Sequence, residues 1–294
     1  MDNSNPDVLA DYEKQKYWGP VDWYNGGMEH VTRHLIYSRF WNNFLYDIGA
    51  VPFAEPYAKR TAQGLVLGED GQKMSKSLGN VVNPNEILKT VGADTLRLYV
   101  MFMGDYELPV PWSSSSVNGC KRFLDRVFNL LEFITDEKGY SKKHSSSTHR
   151  LIKKVSDDIE AMKFNTAIAA MMSYVNEIYA DIYITKDELL TLAYLLYPFA
   201  PHIAEEINEM LGNKTLLAKS KWPEYDAAQL IDDIIELPVQ LNGKVKGIIT
   251  VKKDATVDEV TAAILTDASL SQHLFNKAIK KTIYVPMKIV NYIV

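Results

Sequence analysis

The apolar residues of this chain change their period twice, and that change restricts the fold more than any single motif does. Up to about residue 115, short apolar runs end at glycines and lead into helical patterns. "GPVDWY" (19–24) passes through Asn25-Gly26-Gly27 into a repeat carrying Val31, Leu35, Phe40 and Phe44, which Gly49 closes. "QGLVLG" (63–68) is a second strand-like run, and "NEILKTVGADTLRLYVMFMG" reads as two short helices around Gly92. A strand that turns tightly into a helix is half of a βαβ unit, so this portion reads as one side of a doubly wound α/β domain. The first fifteen residues are polar and show no apolar period.

From Ser116 the helical period takes over, with Phe123, Val127, Leu130, Leu131 and Ile134 on one stripe. After a polar linker (138–149) the spacing predicts helices over 151–162 and 164–182, and Thr185 with Glu188 makes a capping box that opens a fourth. Pro198 and Pro201 bend or divide that helix before Gly212. Amphipathic helices in succession form a bundle. The pattern changes again near 231: "PVQLNGKVKGIITV" is two strand runs around Asn242-Gly243, a strong hairpin signal. Thr256 and Glu259 make a second capping box, and "TIYVPMKIVNYIV" closes as strand. The expected fold class is multidomain, α/β plus α and then a small α+β domain, divided as 1–115, 116–230 and 231–294.

Charge is uneven along these parts. The net charge is −5, yet from Leu237 onward 8 lysines face 4 acids, a balance of +4 that leaves −9 on the preceding residues. A basic module on an acidic body suits either an anionic partner or solubility alone. The single Cys120 excludes an internal disulfide and fits a reducing cytosol. The start is acidic and polar, without a signal-peptide pattern, and the most apolar stretch (189–207) is too short and too interrupted by proline to span a bilayer. A cytoplasmic protein without membrane contact is expected.

Two stretches carry chemistry. "GEDGQKMSKSLGN" (68–80) puts Lys73 and Lys76 on a segment bounded by Gly71 and Gly79. Ammonium groups on a bending loop either grip a polyanion or decorate a solvated turn. His30 and His34, at i and i+4 after Gly26-Gly27, face one side of a regular helix. A zinc motif needs Glu after the first histidine, where Val31 stands, so no metal site is expected. The histidines then belong either to core packing or to a polar pocket at the carboxyl end of a strand, where open α/β sheets bind ligands. No P-loop and no Ser/His/Asp spacing is present.

Together the two stretches resemble the class I aminoacyl-tRNA synthetases. "KMSKS" (73–77) is similar to their second signature loop, and "KMSKSLGNVVNP" is shared by the leucine, isoleucine and valine branches. "WYNGGMEHVTRHLIYSRFW" (23–41) and "GADTLRLYVMFMG" (92–104) look like the leucyl branch, "PFAPHIAEE" (198–206) like its anticodon bundle, and "VQLNGKVKGIITV" with "YVPMKIVNYIV" like its small C-terminal domain. The resemblance implies a partial class I nucleotide-binding, Rossmann-like half, a helical anticodon-binding bundle and a small α+β tRNA-contacting domain. The family's first motif, His-x-Gly-His, is absent from these residues. The expectation is therefore a C-terminal part of such an enzyme, inactive alone in adenylation and dependent on an N-terminal half. A non-catalytic tRNA-binding fragment and a paralogue of the isoleucyl or valyl branch remain the alternatives.

The resemblance also implies roles. Lys73 and Lys76 would be the catalytic residues, acting on the phosphates of ATP, with Met74, Ser75 and Ser77 in the same loop. Gly26, Gly27, Glu29, His30 and Gln63 would complete the ATP site, and Tyr24 and His34 would border the leucine side chain. Lys244, Lys246 and Lys252, expected on one face of an unbulged strand, would touch tRNA(Leu). Magnesium would enter with ATP.

Overall fold

A computed structural model describes residues 2–230, 234–252, 255–274, 279–286 and 288–294, which group into two compact units. The first comprises Met1–Ser141 and Leu151–Glu224, the second Lys142–Arg150 and Tyr225–Val294.

The first unit opens with helix α1 (Tyr12–Trp18), in a stretch with no apolar period. Polar contacts build it: the Asp11 side chain accepts from the Lys14 amide, and the buried Gln15 amide donates to the carbonyls of Ala10 and Ala50. Strand β1 (Tyr24–Asn25) follows and leads to an irregular helix. A 3₁₀ turn (Met28–His30) and a π-type turn (Val31–Leu35) precede α2 (Ile36–Asp47). His30 therefore ends the 3₁₀ turn and His34 lies in the π-type turn, rather than both in one regular α-helix.

Polar side chains of helix α2 are bonded within the chain. Asn42 Nδ2 donates to the carbonyls of Phe53 and Ala54, Arg39 pairs with Glu55 at 2.5 Å, and the Ser38 hydroxyl accepts from Tyr57. Its apolar side is left open: Ile36, Tyr37, Phe40 and Trp41 are 60%, 70%, 72% and 52% exposed.

Strand β2 (Arg60–Thr61) pairs in parallel with β1, and β3 (Val66–Leu67) pairs in parallel with the later β4 (Val110–Pro111). Between β3 and β4 run the lysine loop, α3 (Pro84–Val91) and α4 (Ala93–Phe102), divided at Gly92 as expected. Parallel pairs with helical connections are the local grammar of α/β folds.

The bundle helices are α5 (Ser114–Asn129), α6 (Ser145–Glu160), α7 (Phe164–Asp181), α8 (Lys186–Leu196) and α9 (Pro201–Met210). The short parallel pair β5 (Ile134–Thr135) and β6 (Ile184–Thr185) ties two of their connections. The Thr185–Glu188 capping box forms, and the buried Glu188 carboxylate also accepts from the Ser141 amide and hydroxyl. Leu98 and Tyr99 of α4 share one core with Phe123, Val127, Met171, Leu192 and Ile207, so the α/β portion and the bundle are packed as one body.

In the second unit four strands take the order β8-β7-β10-β9: β7 (Ile234–Leu241), β8 (Lys244–Lys252), β9 (Lys281–Val285) and β10 (Ile289–Ile293). The hairpin turns at Asn242 and Gly243, with φ of 50° and 79°. Helix α10 (Val257–Thr266), opened by the expected Thr256–Glu259 box, and the short α11 (Ser271–Leu274) complete it. Val260 and Ile264 pack against Leu237, Val239, Val290 and Tyr292. Residues 275–278 and 287 of the expected closing helix and strands lie outside the described residues.

Candidate functional site

Both chemical stretches leave the carboxyl ends of parallel strands, Gly26-Gly27 after β1 and the lysine loop after β3. At the first, Tyr24 and His34 are brought together: the hydroxyl and Nδ1 lie 2.9 Å apart, and the rings stack at 5.5 Å between centroids, 8° from parallel. Tyr57 also packs against Tyr24, at 4.6 Å between ring centres and 48° from parallel. Glu29 folds back over Gly27, where a Cβ would meet its Oε2 at 2.4 Å. Glu29 and His30 are exposed.

The lysine loop has internal structure. The Lys73 and Lys76 side chains are exposed, whereas Met74 packs against the shared core. Lys76–Leu78 form a 3₁₀ turn, and Ser75 and Ser77 share a hydroxyl hydrogen bond of 2.7 Å. Gly71 and Gly79 hold φ of +73° and +64°, values an L side chain resists. Glu69, at the root of the loop, accepts from the Ser114 amide (3.0 Å) and hydroxyl (2.7 Å), which holds its carboxyl below the usual range. Among the described residues no hydrogen bond joins this loop to the Gly26–His34 segment.

Sequence reasoning missed Tyr106 and Asn80. The Tyr106 hydroxyl lies 2.9 Å from Asn25 Oδ1 and 3.4 Å from Gln63 Oε1, joining the end of β1 to the expected adenosine contact. Asn80 Oδ1 accepts from the Ser75 amide at 2.8 Å, and its Nδ2 donates to the Asp70 carboxylate. Asn80 acts across a turn and Tyr106 from far along the chain, and no periodicity marks such residues. Among the described residues no group of three or more His, Cys, Asp or Glu side chains is arranged to hold a metal ion.

The three sheet lysines do not share a face. Gln240 pairs with Val245 and Val239 with Gly247, so Lys246 is the extra residue of a β-bulge. Beyond the bulge Ile249 and Val251 face the core and Lys252 points outward, whereas Lys244 stands opposite the core-facing Leu241. The expected parity required an unbulged strand, and the bulge breaks it.

Residues 13–113 match a family model described as tRNA synthetases class I (I, L, M and V), and residues 142–262 match one described as the anticodon-binding domain of tRNA ligase. A leucine–tRNA ligase of Alkaliphilus oremlandii is 50% identical over 293 residues. That alignment takes in 100% of this chain and 36% of the relative, so the chain spans about a third of the curated relative's length. Among solved structures, the LeuRS of the Agrobacterium radiobacter K84 agnB2 LeuRS-tRNA-LeuAMS ternary complex superposes with a TM-score of 0.73 at 32% identity. That match covers 97% of this chain and 39% of that one. A Mycobacterium tuberculosis methionyl-tRNA synthetase bound by methionyl-adenylate shares the fold, with a TM-score of 0.53 at 19% identity over 71% of this chain and 47% of that one. No described helix is long and apolar enough to cross a membrane. Over its whole length the chain is similar to about a third of a leucine–tRNA ligase, with a segment that matches the class I tRNA synthetase model followed by one that matches the anticodon-binding model.

Proposed function

We propose that this chain supplies the signature-loop half of a leucine-activating site and the tRNA-contacting domains of a leucine–tRNA ligase acting in the cytoplasm. The reaction joins the leucine carboxylate to the α-phosphate of ATP with release of pyrophosphate, and then passes leucine from the adenylate to tRNA(Leu) with release of AMP. The observation that carries the reading is the loop's position: Lys73 and Lys76 are exposed on a segment rising from the carboxyl end of parallel strand β3. As pyrophosphate departs, negative charge grows on its bridging oxygen. An ammonium that meets that charge lowers the barrier more than one that binds ATP equally in both states. Tyr24 and His34 would border the leucine side chain, with Gly26, Gly27, Glu29, His30 and Gln63 around the nucleotide. ATP enters as its magnesium complex, a substrate species, and no step is assigned through a protein-held ion.

The reading includes a second polypeptide portion. The aromatic side of α2 is open while its polar side is bonded within the chain. Exposed apolar patches of this kind mark interaction surfaces. The relatives are more than twice as long, and the rest of the class I fold is the occupant that fits. The boundaries 1–115, 116–230 and 231–294 are proposed as functional divisions within the two compact units.

The test is leucine-dependent exchange of pyrophosphate into ATP, measured on this chain alone and combined with the remaining portion of the Alkaliphilus oremlandii enzyme. The combination is expected to be active with leucine in preference to isoleucine and valine, and the chain alone inactive. Preference for isoleucine or valine assigns the chain to another branch. Binding of tRNA without exchange in the combination makes it a non-catalytic module, a reading the anticodon-binding match over 142–262 favours next.

A further inference from the structure

The lysine loop is closed by one side chain that belongs to neither its lysines nor its serines. Asn80 reaches back across the loop and contacts three points of it. Its Oδ1 accepts from the Ser75 amide at 2.8 Å, on the link between Lys73 and Lys76. Its Nδ2 lies 3.2 and 3.1 Å from the two Asp70 oxygens and 3.4 Å from the Lys73 carbonyl. Asp70 is fixed in turn, because its Oδ1 also accepts from the Gln72 amide at 3.0 Å.

Gly68 leaves the clasp its room on one side. A Cβ at Gly68 would stand 2.7 Å from Asp70 Oδ1, 2.9 Å from Asn80 Nδ2 and 3.1 Å from the Asn80 carbonyl. Any side chain at 68 therefore displaces the pair, so glycine is required there by close approach. Gly68 is also bonded to the loop's own turn, its amide donating to the Gln72 carbonyl at 2.8 Å. Met74 is packed against the core, and Lys73 and Lys76, which flank it in the sequence, are exposed.

We propose that Asn80, held by Asp70, is a positioning residue. It fixes the backbone between Lys73 and Lys76 so that their ammonium groups reach the departing pyrophosphate together. The proposal rests on the leucine-activating reading of the site. Asn80 itself touches no reacting atom. Its effect passes through the Ser75 amide and the Lys73 carbonyl, which set where the two lysines point.

The chemistry of the pair offers a specific test. In Asn80→Asp the acceptor for Ser75 is retained, but a carboxylate is set against Asp70, and like charges at hydrogen-bond distance repel. Adding Asp70→Asn restores one donor and one acceptor in reversed order. Misplacement of catalytic groups by about an ångström costs up to roughly 100-fold, so Asn80→Ala and Asn80→Asp are expected to lower kcat for exchange by roughly 10- to 100-fold. KM for ATP is expected to stay within about twofold, because the contact matters as charge develops. The Asp70→Asn/Asn80→Asp swap is expected to recover most of the loss.

Two readouts keep the outcomes apart. Amide exchange at Ser75 in this chain alone reads the clasp without activity, and it is expected to accelerate in both single variants and recover in the swap. Unchanged exchange at Ser75 overturns the clasp. Accelerated amide exchange with unchanged kcat in the combined enzyme overturns the positioning role. A rise in KM for ATP with kcat held makes Asn80 part of ground-state binding and overturns the proposal as well. A combined wild-type enzyme inactive with every amino acid overturns the leucine-activating reading, and this role with it, while the Ser75 measurement still reports the clasp.

Discussion

The hydroxyl of Tyr24 and Nδ1 of His34 share a hydrogen bond of 2.9 Å while their rings lie 8° from parallel. Tyr24 stands on β1 and His34 in the π-type turn at Val31–Leu35, so the pair joins the end of the strand to the helix that follows it. Each residue therefore fixes the other's rotamer at the proposed leucine pocket. Losing one such hydrogen bond is worth about 1 kcal/mol, so Tyr24→Phe is expected to raise KM for leucine by roughly 3- to 10-fold. KM for ATP should hold. A double-mutant cycle with His34→Ala checks the coupling, and strictly additive effects would show that the two side chains act separately.

Asp94 of α4 caps a helix it does not belong to. Helix α9 begins after Ala200, which has no side chain able to cap, and Asp94 Oδ2 accepts from the Ile203 amide at 2.8 Å. Its Oδ1 meets His202 Nδ1 at 2.7 Å, and Arg97 of the same helix donates to the Pro198 carbonyl at 2.9 Å. Helix α4 thereby holds both ends of the turn made by Pro198 and Pro201. Asp94→Ala is expected to destabilise the chain by about 1–2 kcal/mol, the usual cost of a lost cap, and Asp94→Asn by less. Urea unfolding measures both, and equal losses in the two variants would rule out the capping account.

The depressed Glu69 carboxyl gives a signed pH dependence. Its hydrogen bonds from the Ser114 hydroxyl and amide lower its pKa from the ordinary 4.5. A carboxyl with a depressed folded pKa contributes stability that is complete above its unfolded value and lost as pH falls through its folded one. Glu69→Gln is therefore expected to be less stable than the parent at pH 7, with the gap closing as pH falls below 4.5. Unfolding midpoints across a pH series check it; a constant gap would mean that charge plays no part.

Cys120 is fully buried on α5, and burial pushes its thiol up to about 11. Alkylation requires the thiolate, so at neutral pH the native chain should be inert to iodoacetamide and react only on unfolding. Mass spectrometry with and without denaturant decides the point. Native labelling at the rate of a free thiol would place Cys120 at the surface.

The helices and the hairpin were legible because their signals are local. Two capping boxes, the proline pair and Asn242-Gly243 each specify their geometry within a few residues. The parallel pairing of β1 with β2 and of β3 with β4 was less accessible, since each strand has two residues and leaves no period to read. The site divides in the same way. Lys73 and Lys76 stand in a recognisable string, whereas Tyr106 and Asn80 act through hydrogen bonds made across a turn or 81 residues along the chain. On α2 polar side chains are bonded within the chain while large apolar ones stay exposed, which runs against the ordinary amphipathic rule, and no spacing argument anticipates it.

The bulge in β8 separates what sequence parity had joined. Lys244 and Lys246 lie next to the hairpin turn, on the pre-bulge end and at the bulge itself, while Lys252 occupies the outward face at the far end of the strand. Phosphate contacts position a nucleic acid and carry little base information, so lysines at one end of a ribbon can serve one stretch of backbone without sharing a sheet face. Lys244→Ala/Lys246→Ala is therefore expected to weaken tRNA binding and to flatten its salt dependence by about one to two units of slope, because each phosphate neutralised releases condensed counterion. Lys252→Ala should leave that slope unchanged, since Lys252 stands at the end of the strand far from the turn and on its outward face. The competing role for the first two lysines is protection of the exposed edge strand β8 against aggregation. Binding measured over a salt series separates the roles: an unchanged slope in the double variant, with solubility lost, assigns Lys244 and Lys246 to edge protection, and equal slope losses in all three lysine variants restore a single shared face.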